Sequence, residues 1–129
     1  MKTIRLLLVD DEAAIRRGLR MRLAIEPDVE VVGEAVDASS AVEMSRQLAP
    51  HVVVMDIELP GLDGIAATIA LQQLAPAPAV VMLSMHDDAS TVARALAAGA
   101  AGFVAKQHAD GALLSAIRRA AQGEEGSDA

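Results

Sequence analysis

Ile4-Arg5-Leu6-Leu7-Leu8-Val9-Asp10-Asp11 is the stretch from which the rest of the chain can be read. It is an apolar run of strand length that ends in two adjacent carboxylates. Val52-Val53-Val54-Met55-Asp56 has the same form. Two buried strands that both finish in acids place one acidic site at one edge of a parallel sheet. Negative charge gathered there without fixed compensation calls for a hard divalent cation. Asp56 is then free to do chemistry beside that cation.

Working outward, strand-length apolar runs alternate with longer, Ala-rich segments of helical period. The strands are expected at Ile4–Asp10, Val29–Ala35, His51–Asp56, Ala79–Ser84 and Ala101–Lys106. The helices are expected at Ala13–Ile25, Ser39–Leu48, Gly64–Leu74, Ala89–Ala98 and Ala112–Ala121. Pro27, Pro50, Pro76 and Pro78 fall between a helix and the next strand. Gly99 sits where a helix should end, and Asp87 or Asp88 can cap the fourth helix. The start of the fifth helix is poorly marked, because Asp110-Gly111 signals a turn rather than a cap.

Fivefold β-α alternation means an α/β fold, a doubly wound five-stranded parallel sheet with helices on both faces. Near-continuous apolar strands fit burial on two sides. The second strand is the most polar, with Glu30 and Glu34 among its valines, and belongs at an edge. The flavodoxin-like (βα)5 order 2-1-3-4-5 has that property, and it places ligands at the carboxyl ends near the β1/β3 switch point.

The bulk numbers agree and exclude alternatives. The 129 residues fit one domain, and 53% hydrophobic content fills its core. A net charge of −7 argues against this segment binding nucleic acid by phosphate neutralisation. With no Cys, disulfides and thiolate metal sites are excluded. No apolar stretch reaches spanning length and no signal-peptide layout is present, so a cytoplasmic protein without membrane association is expected. Residues 1–122 read as the domain. Residues 123–129, small and acidic, read as a disordered tail or the start of a linker.

In the order 2-1-3-4-5 four strands lie side by side, about 4.8 Å apart. Their carboxyl ends carry Asp10 and Asp11, then Asp56, then Ser84, then Lys106. Each residue type has a part in phosphoryl transfer. A few carboxylates suit Mg²⁺, which retains waters and leaves room for phosphate oxygens. A carboxylate can act as nucleophile and form an aspartyl-phosphate. Lys supplies a point charge and Ser a hydroxyl donor for phosphoryl oxygens. Any one of these residues alone reads more simply as a turn, a cap or a surface charge, as Asp87-Asp88 does.

The sequence resembles the receiver domain of two-component response regulators from Ile4 to about Gln122. The matching residues are Asp10-Asp11, Asp56 in Met55-Asp56-Ile57-Glu58-Leu59-Pro60-Gly61-Leu62-Asp63-Gly64, Ser84 and Lys106. Leu83-Ser84-Met85-His86-Asp87-Asp88, Ala98-Gly99-Ala100-Ala101-Gly102-Phe103, and Gln107 in place of a proline after Lys106 look like the NarL/FixJ-type subfamily of bacteria. The resemblance implies that Asp56 accepts a phosphoryl group from the phosphohistidine of a sensor histidine kinase. It implies Mg²⁺ held by Asp11, Asp56 and the backbone carbonyl of Glu58, with Asp10 acting directly or through water. Ser84 and Lys106 would contact the phosphoryl oxygens, and Ser84 with Phe103 would form the switch. The readout face would be helix 4, strand 5 and helix 5. DNA would be reached only through a C-terminal domain outside this chain, and a second copy of the chain stands among the candidate partners. No turnover enzyme is expected beyond self-phosphorylation and self-dephosphorylation.

Other residues have plainer readings. His86 is a surface histidine near the mouth of the site. Glu58 has a side chain that can influence hydrolysis. Asp63-Gly64 is a turn and helix start. Pro60, Gly61 and Gly64 shape the loop after Asp56, the glycines by allowing positive φ. Arg16, Arg17, Arg20 and Arg22 form a solvated face of the first helix or, as the resemblance implies, a kinase-docking surface; Arg16 and Arg20 share a face.

Three other functions compete with this one. A haloacid-dehalogenase-like phosphohydrolase wants a second Asp two residues after the nucleophile, where this chain has Glu58. A nucleotide-binding domain wants a Gly-rich turn after the first strand, where this chain has Asp10-Asp11. A phosphate-independent docking module would keep the acids without using them.

Overall fold

A computed structural model describes residues 3–59, 63–86, 88–106 and 111–126. Expectations placed on Pro60, Gly61, Asp87, Gln107, Asp110 and the last three residues lie outside the described residues. The elements alternate as β1 (Ile4–Val9), α1 (Ala13–Leu23), β2 (Val29–Ala35), α2 (Ala38–Leu48), β3 (Val52–Asp56), α3 (Gly64–Leu71), β4 (Ala79–Ser84), α4 (Ala89–Ala97), β5 (Gly102–Ala105) and α5 (Ala112–Gly126). All five strands are parallel, in the order β2-β1-β3-β4-β5. The doubly wound fold expected from the alternation is therefore the observed one.

The sheet is buried on both faces, and the period of two along each strand sorts its side chains. Leu7, Val9, Val53, Met55, Val80 and Met82 pack under α2, α3 and α4 with Ala41, Ala67, Leu71 and Ala95. Leu6, Leu8, Val52, Val54, Val81 and Leu83 pack under α1 and α5 with Leu19, Leu23, Leu113 and Ile117. Small Ala side chains let the helices approach the sheet closely, which explains why an Ala-rich chain still fills its core.

Local chemistry sets the helix starts. Asp37 caps α2 by accepting from Ser40 N at 2.8 Å, in a reciprocal capping box with Ser40. Asp63 caps α3 through Ala66 N, and Asp88 caps α4 through Thr91 N. Gly99, at φ +108°, turns the chain out of α4 as the sequence implied. Glu12, at the N-cap of α1, makes no side-chain cap.

Two expectations need correction. α5 runs to Gly126, past the Ala121 expected as its end, because one Gly inside a helix costs only about 1 kcal/mol and Gln and Glu are good helix formers. Gly64 does not have positive φ. A Cβ there would lie 2.5 Å from the Asp56 carbonyl oxygen and 2.8 Å from Ile57 Cα, so the position needs glycine for space.

Candidate functional site

Strand register assembles the site. Val9 pairs with Met55, Asp56 with Leu83, and Ser84 with Ala105. Asp10, Asp56, Ser84 and Lys106 thus arrive together at the carboxyl edge, where strand order reverses direction about β1 and β3. Asp10 and Asp56 are 2% and 3% exposed and Ser84 is fully buried, whereas Asp11 reaches solvent.

Asp56 is held at both oxygens. Glu58 N donates to Oδ1 at 2.9 Å, and Lys106 Nζ donates to Oδ2 at 3.0 Å. Burial pushes the Asp56 carboxyl up to about 6, and the Asp10 charge adds to the rise; the Lys106 ammonium and the Glu58 amide oppose it without cancelling it. Burial pulls the Lys106 ammonium down, but the hydrogen bond it donates to Asp56 and the charges of Asp56, Asp10 and Glu58 outweigh that and hold it above its ordinary range.

Asp10 is fixed differently. Its Oδ1 accepts from Glu12 N at 2.9 Å. Its Oδ2 is buried without a hydrogen bond, and Lys106 Nζ stands 3.5 Å away. A buried carboxylate oxygen left this way is costly unless something else binds it. Asp10, Asp11 and Asp56 each offer a carboxylate oxygen, all within 4.8 Å of one another. These all-oxygen donors, one of them orphaned, fit a hard divalent cation.

Ser84 has an unforeseen partner. Its hydroxyl donates to Glu58 Oε2 at 2.7 Å and accepts from His86 N at 2.9 Å. The His86 ring is exposed, as a surface residue should be. Phe103 pairs with Met82 and is half-buried against the α2-α3-α4 side of the core.

Arg16 also departs from a solvated-face reading. It is 15% exposed, with Nε donating to Glu34 Oε1 at 2.8 Å and Nη1 to the Asp10 carbonyl at 2.6 Å. Arg20 Nη1 donates to Glu34 Oε2 at 2.7 Å. Burial pushes Glu34 up, but the two guanidinium hydrogen bonds and their charges leave it below the ordinary carboxylate range. The spacing of Arg16 and Arg20 was visible in the sequence. Their shared acid on β2 was not, because it depends on β1–β2 pairing, which sets Leu8 opposite Glu34.

The chain is thus a doubly wound α/β domain with a trio of acids and a lysine at its switch point. The chain belongs to the response regulator receiver domain family, whose model matches residues 6–118. It is 39% identical over 120 residues to the transcriptional regulatory protein DegU of Brevibacillus brevis, covering 93% of this chain and 51% of that one. It is 37% identical over 121 residues to the transcriptional regulatory protein LiaR of Bacillus subtilis strain 168, covering 94% and 57%. A crystal structure of a LuxR-family two-component response regulator from Aurantimonas sp. SI85-9A1 superposes with a TM-score of 0.90 at 37% identity, over 95% of this chain and 87% of that one. These relatives agree with the NarL/FixJ-like subfamily expected from the sequence. The chain spans about half the length of the curated relatives it matches. Among the described residues no helix is long and apolar enough to cross a membrane.

Proposed function

We propose that this domain is a phosphorylation-controlled signalling receiver in which Asp56 takes a phosphoryl group from the phosphohistidine of a sensor histidine kinase. The observation that carries the reading is the Lys106 Nζ–Asp56 Oδ2 contact at 3.0 Å beside the Asp10–Asp11–Asp56 acid trio. A carboxyl raised to about 6 is largely ionised at neutral pH, yet more basic than an ordinary aspartate. One Asp56 oxygen forms the new P–O bond while the P–N bond to the donor imidazole breaks. The electron pair stays on that nitrogen, which then takes a proton.

Asp10, Asp11, Asp56 and the backbone carbonyl of Glu58 would hold Mg²⁺. When bound, the cation supplies charge neutralisation for the phosphoryl oxygens. Lys106 contributes a fixed positive charge on the other side and keeps Asp56 oriented before transfer. The Ser84 hydroxyl, released from Glu58, donates to a phosphoryl oxygen. Its displacement frees room near β5, which Phe103 fills, and this alters the α4-β5-α5 surface. The acyl phosphate carries about −1.5 to −2 charges where the carboxylate carried about −1, and it places them further out toward α4 and β5, which biases such a two-state surface.

The output is transcription through a separate DNA-binding domain. The relatives named as transcriptional regulatory proteins support this. A second copy of the chain is a partner of the phosphorylated state, and the setting is the bacterial cytoplasm. The domain catalyses its own phosphorylation and dephosphorylation only. The phosphohydrolase alternative gains no support from the site, where Glu58 is committed to Ser84.

The test is intact-mass measurement after treatment with a small phosphodonor, with and without Mg²⁺. One added phosphoryl group on the wild type, requiring Mg²⁺, and none on Asp56→Asn is the expected result. Equal labelling of both proteins refutes the reading.

A further inference from the structure

We infer that Arg16 is a positioning residue for the acid site, with Glu34 as its anchor: from α1 it fixes the Asp10–Asp11 peptide in the orientation that divalent-cation binding requires. The inference rests on the reading of this site as Mg²⁺-dependent. Arg16 donates to the Asp10 carbonyl at 2.6 Å and to Glu34 at 2.8 Å, and its side chain is 15% exposed. Asp10 is therefore held at three points. Its amide donates to the Ala35 carbonyl at 3.1 Å, its carbonyl accepts from Arg16, and its Oδ1 accepts from Glu12 N. Oδ2 alone is left over, buried and without a hydrogen bond.

A peptide plane is rigid, so fixing the Asp10 carbonyl fixes the direction in which Asp11 follows. The two adjacent acids thus share one constraint. Arg16 supplies it through a main-chain oxygen, so its guanidinium takes up none of the trio's carboxylate oxygens. Lys106 differs, because its ammonium occupies Asp56 Oδ2 and stands near Asp10 Oδ2. The two cations therefore divide the work: Lys106 meets the reacting carboxylate, and Arg16 supports the loop from behind.

Glu34 decides whether Arg16 can do this. A bidentate-capable guanidinium must be aimed, and Glu34 at the end of β2 aims it. Arg20 shares Glu34, at 2.7 Å, but its guanidinium is engaged there and not at the Asp10 carbonyl, which Arg16 holds. Arg20 is therefore the internal control. Outer-shell groups that orient metal ligands typically change metal affinity by about 10–100-fold when removed.

The experiment is Mg²⁺ titration by calorimetry on the wild type, Arg16→Ala, Arg16→Lys, Glu34→Gln and Arg20→Ala, with folding verified by circular dichroism. Arg16→Ala should weaken Mg²⁺ binding by about tenfold. Arg16→Lys and Glu34→Gln should each weaken it by about three- to fivefold, and Arg20→Ala by less than about twofold. A lysine reaches the Asp10 carbonyl or Glu34 but not both. Labelling of Arg16→Ala by a small phosphodonor should return to within about threefold of wild type at saturating Mg²⁺, which a damaged fold would not allow. If Arg16→Ala does not fold, Glu34→Gln and Arg16→Lys decide the matter. Wild-type Mg²⁺ affinity in the Arg16 variants, or equal losses in Arg16→Ala and Arg20→Ala, overturns the inference while leaving the proposed function standing. A wild type that neither binds Mg²⁺ nor accepts phosphate removes both.

Discussion

The Ser84 hydroxyl donates to Glu58 Oε2 at 2.7 Å, across 26 residues of sequence. The same carboxylate reaches toward Met85 N at 3.5 Å. Glu58 thus occupies the hydroxyl that an incoming phosphoryl group would use, and it brings a negative charge to the approach. Replacing it removes both obstacles. Glu58→Gln should accelerate labelling by an anionic small phosphodonor about three- to fivefold, corresponding to about 1 kcal/mol from one partly screened charge. Rates from initial-velocity mass spectrometry at fixed Mg²⁺ check this. A rate equal to or below wild type contradicts it.

Lys106 places its ammonium against two nearly buried carboxylates, those of Asp10 and Asp56. In Lys106→Met those acids face each other with no ammonium between them. With chelator present at pH 7.5, urea denaturation should show a loss of about 2–3 kcal/mol, less than the usual cost of about 3–5 kcal/mol for breaking a buried pair because Asp56 can take up a proton. The loss should shrink at pH 5, where that uptake is complete. An unchanged midpoint at pH 7.5 would show that Lys106 does not offset the acids.

Asp56 has a carboxyl raised from 3.8 to about 6, so the folded state holds its proton more tightly than the unfolded state. Both states are protonated below about 3.8, and there is no penalty there. As pH rises through that value toward about 6, the unfolded state ionises first and stability falls. Above about 6 the penalty is complete, on the order of 3 kcal/mol for a rise from 3.8 to about 6. In metal-free protein Asp56→Asn should therefore be more stable than wild type at pH 7.5 by about 2 kcal/mol, after allowing for the weakened Lys106 contact. The advantage should fade as pH drops from 6 to 4. A gap independent of pH over that range defeats this account.

Gly64 sits against main-chain atoms of Asp56 and Ile57, with no room for a methyl group. Backbone cannot step aside as a side-chain tip can. Gly64→Ala should cost about 1–3 kcal/mol despite the better helix propensity of Ala, and lower the melting temperature by about 5 °C or more. Because Gly64 N also donates to the Ile57 carbonyl, the shift should reach Asp56 and slow its labelling. Thermal melts followed by circular dichroism read the first effect; Tyr and Trp are absent, so fluorescence will not serve. A melting temperature at or above wild type rules the steric argument out.

Much of this protein was legible in one dimension because the governing signals are local. A strand buried on two faces must be apolar throughout, a capping Asp must precede its helix, and an acid must end the strand that presents it. Those signals, with the helical period of the segments between, placed the five strands and five helices, and the expected strand ends set Asp10, Asp56, Ser84 and Lys106 along one edge. Element ends were less legible, as α5 running to Gly126 shows, because fraying and single-glycine costs are small.

The partners of charged side chains were decided by tertiary structure alone. Arg16 found Glu34 and the Asp10 carbonyl, Ser84 found Glu58, and Arg118 on α5 found Asp28 and Glu26 some 90 residues earlier. Such pairings depend on strand order, register and the rotation of each helix on the sheet. Hydrophobic periodicity specifies which face of an element is buried. It carries no record of which polar group will stand opposite once the faces have met.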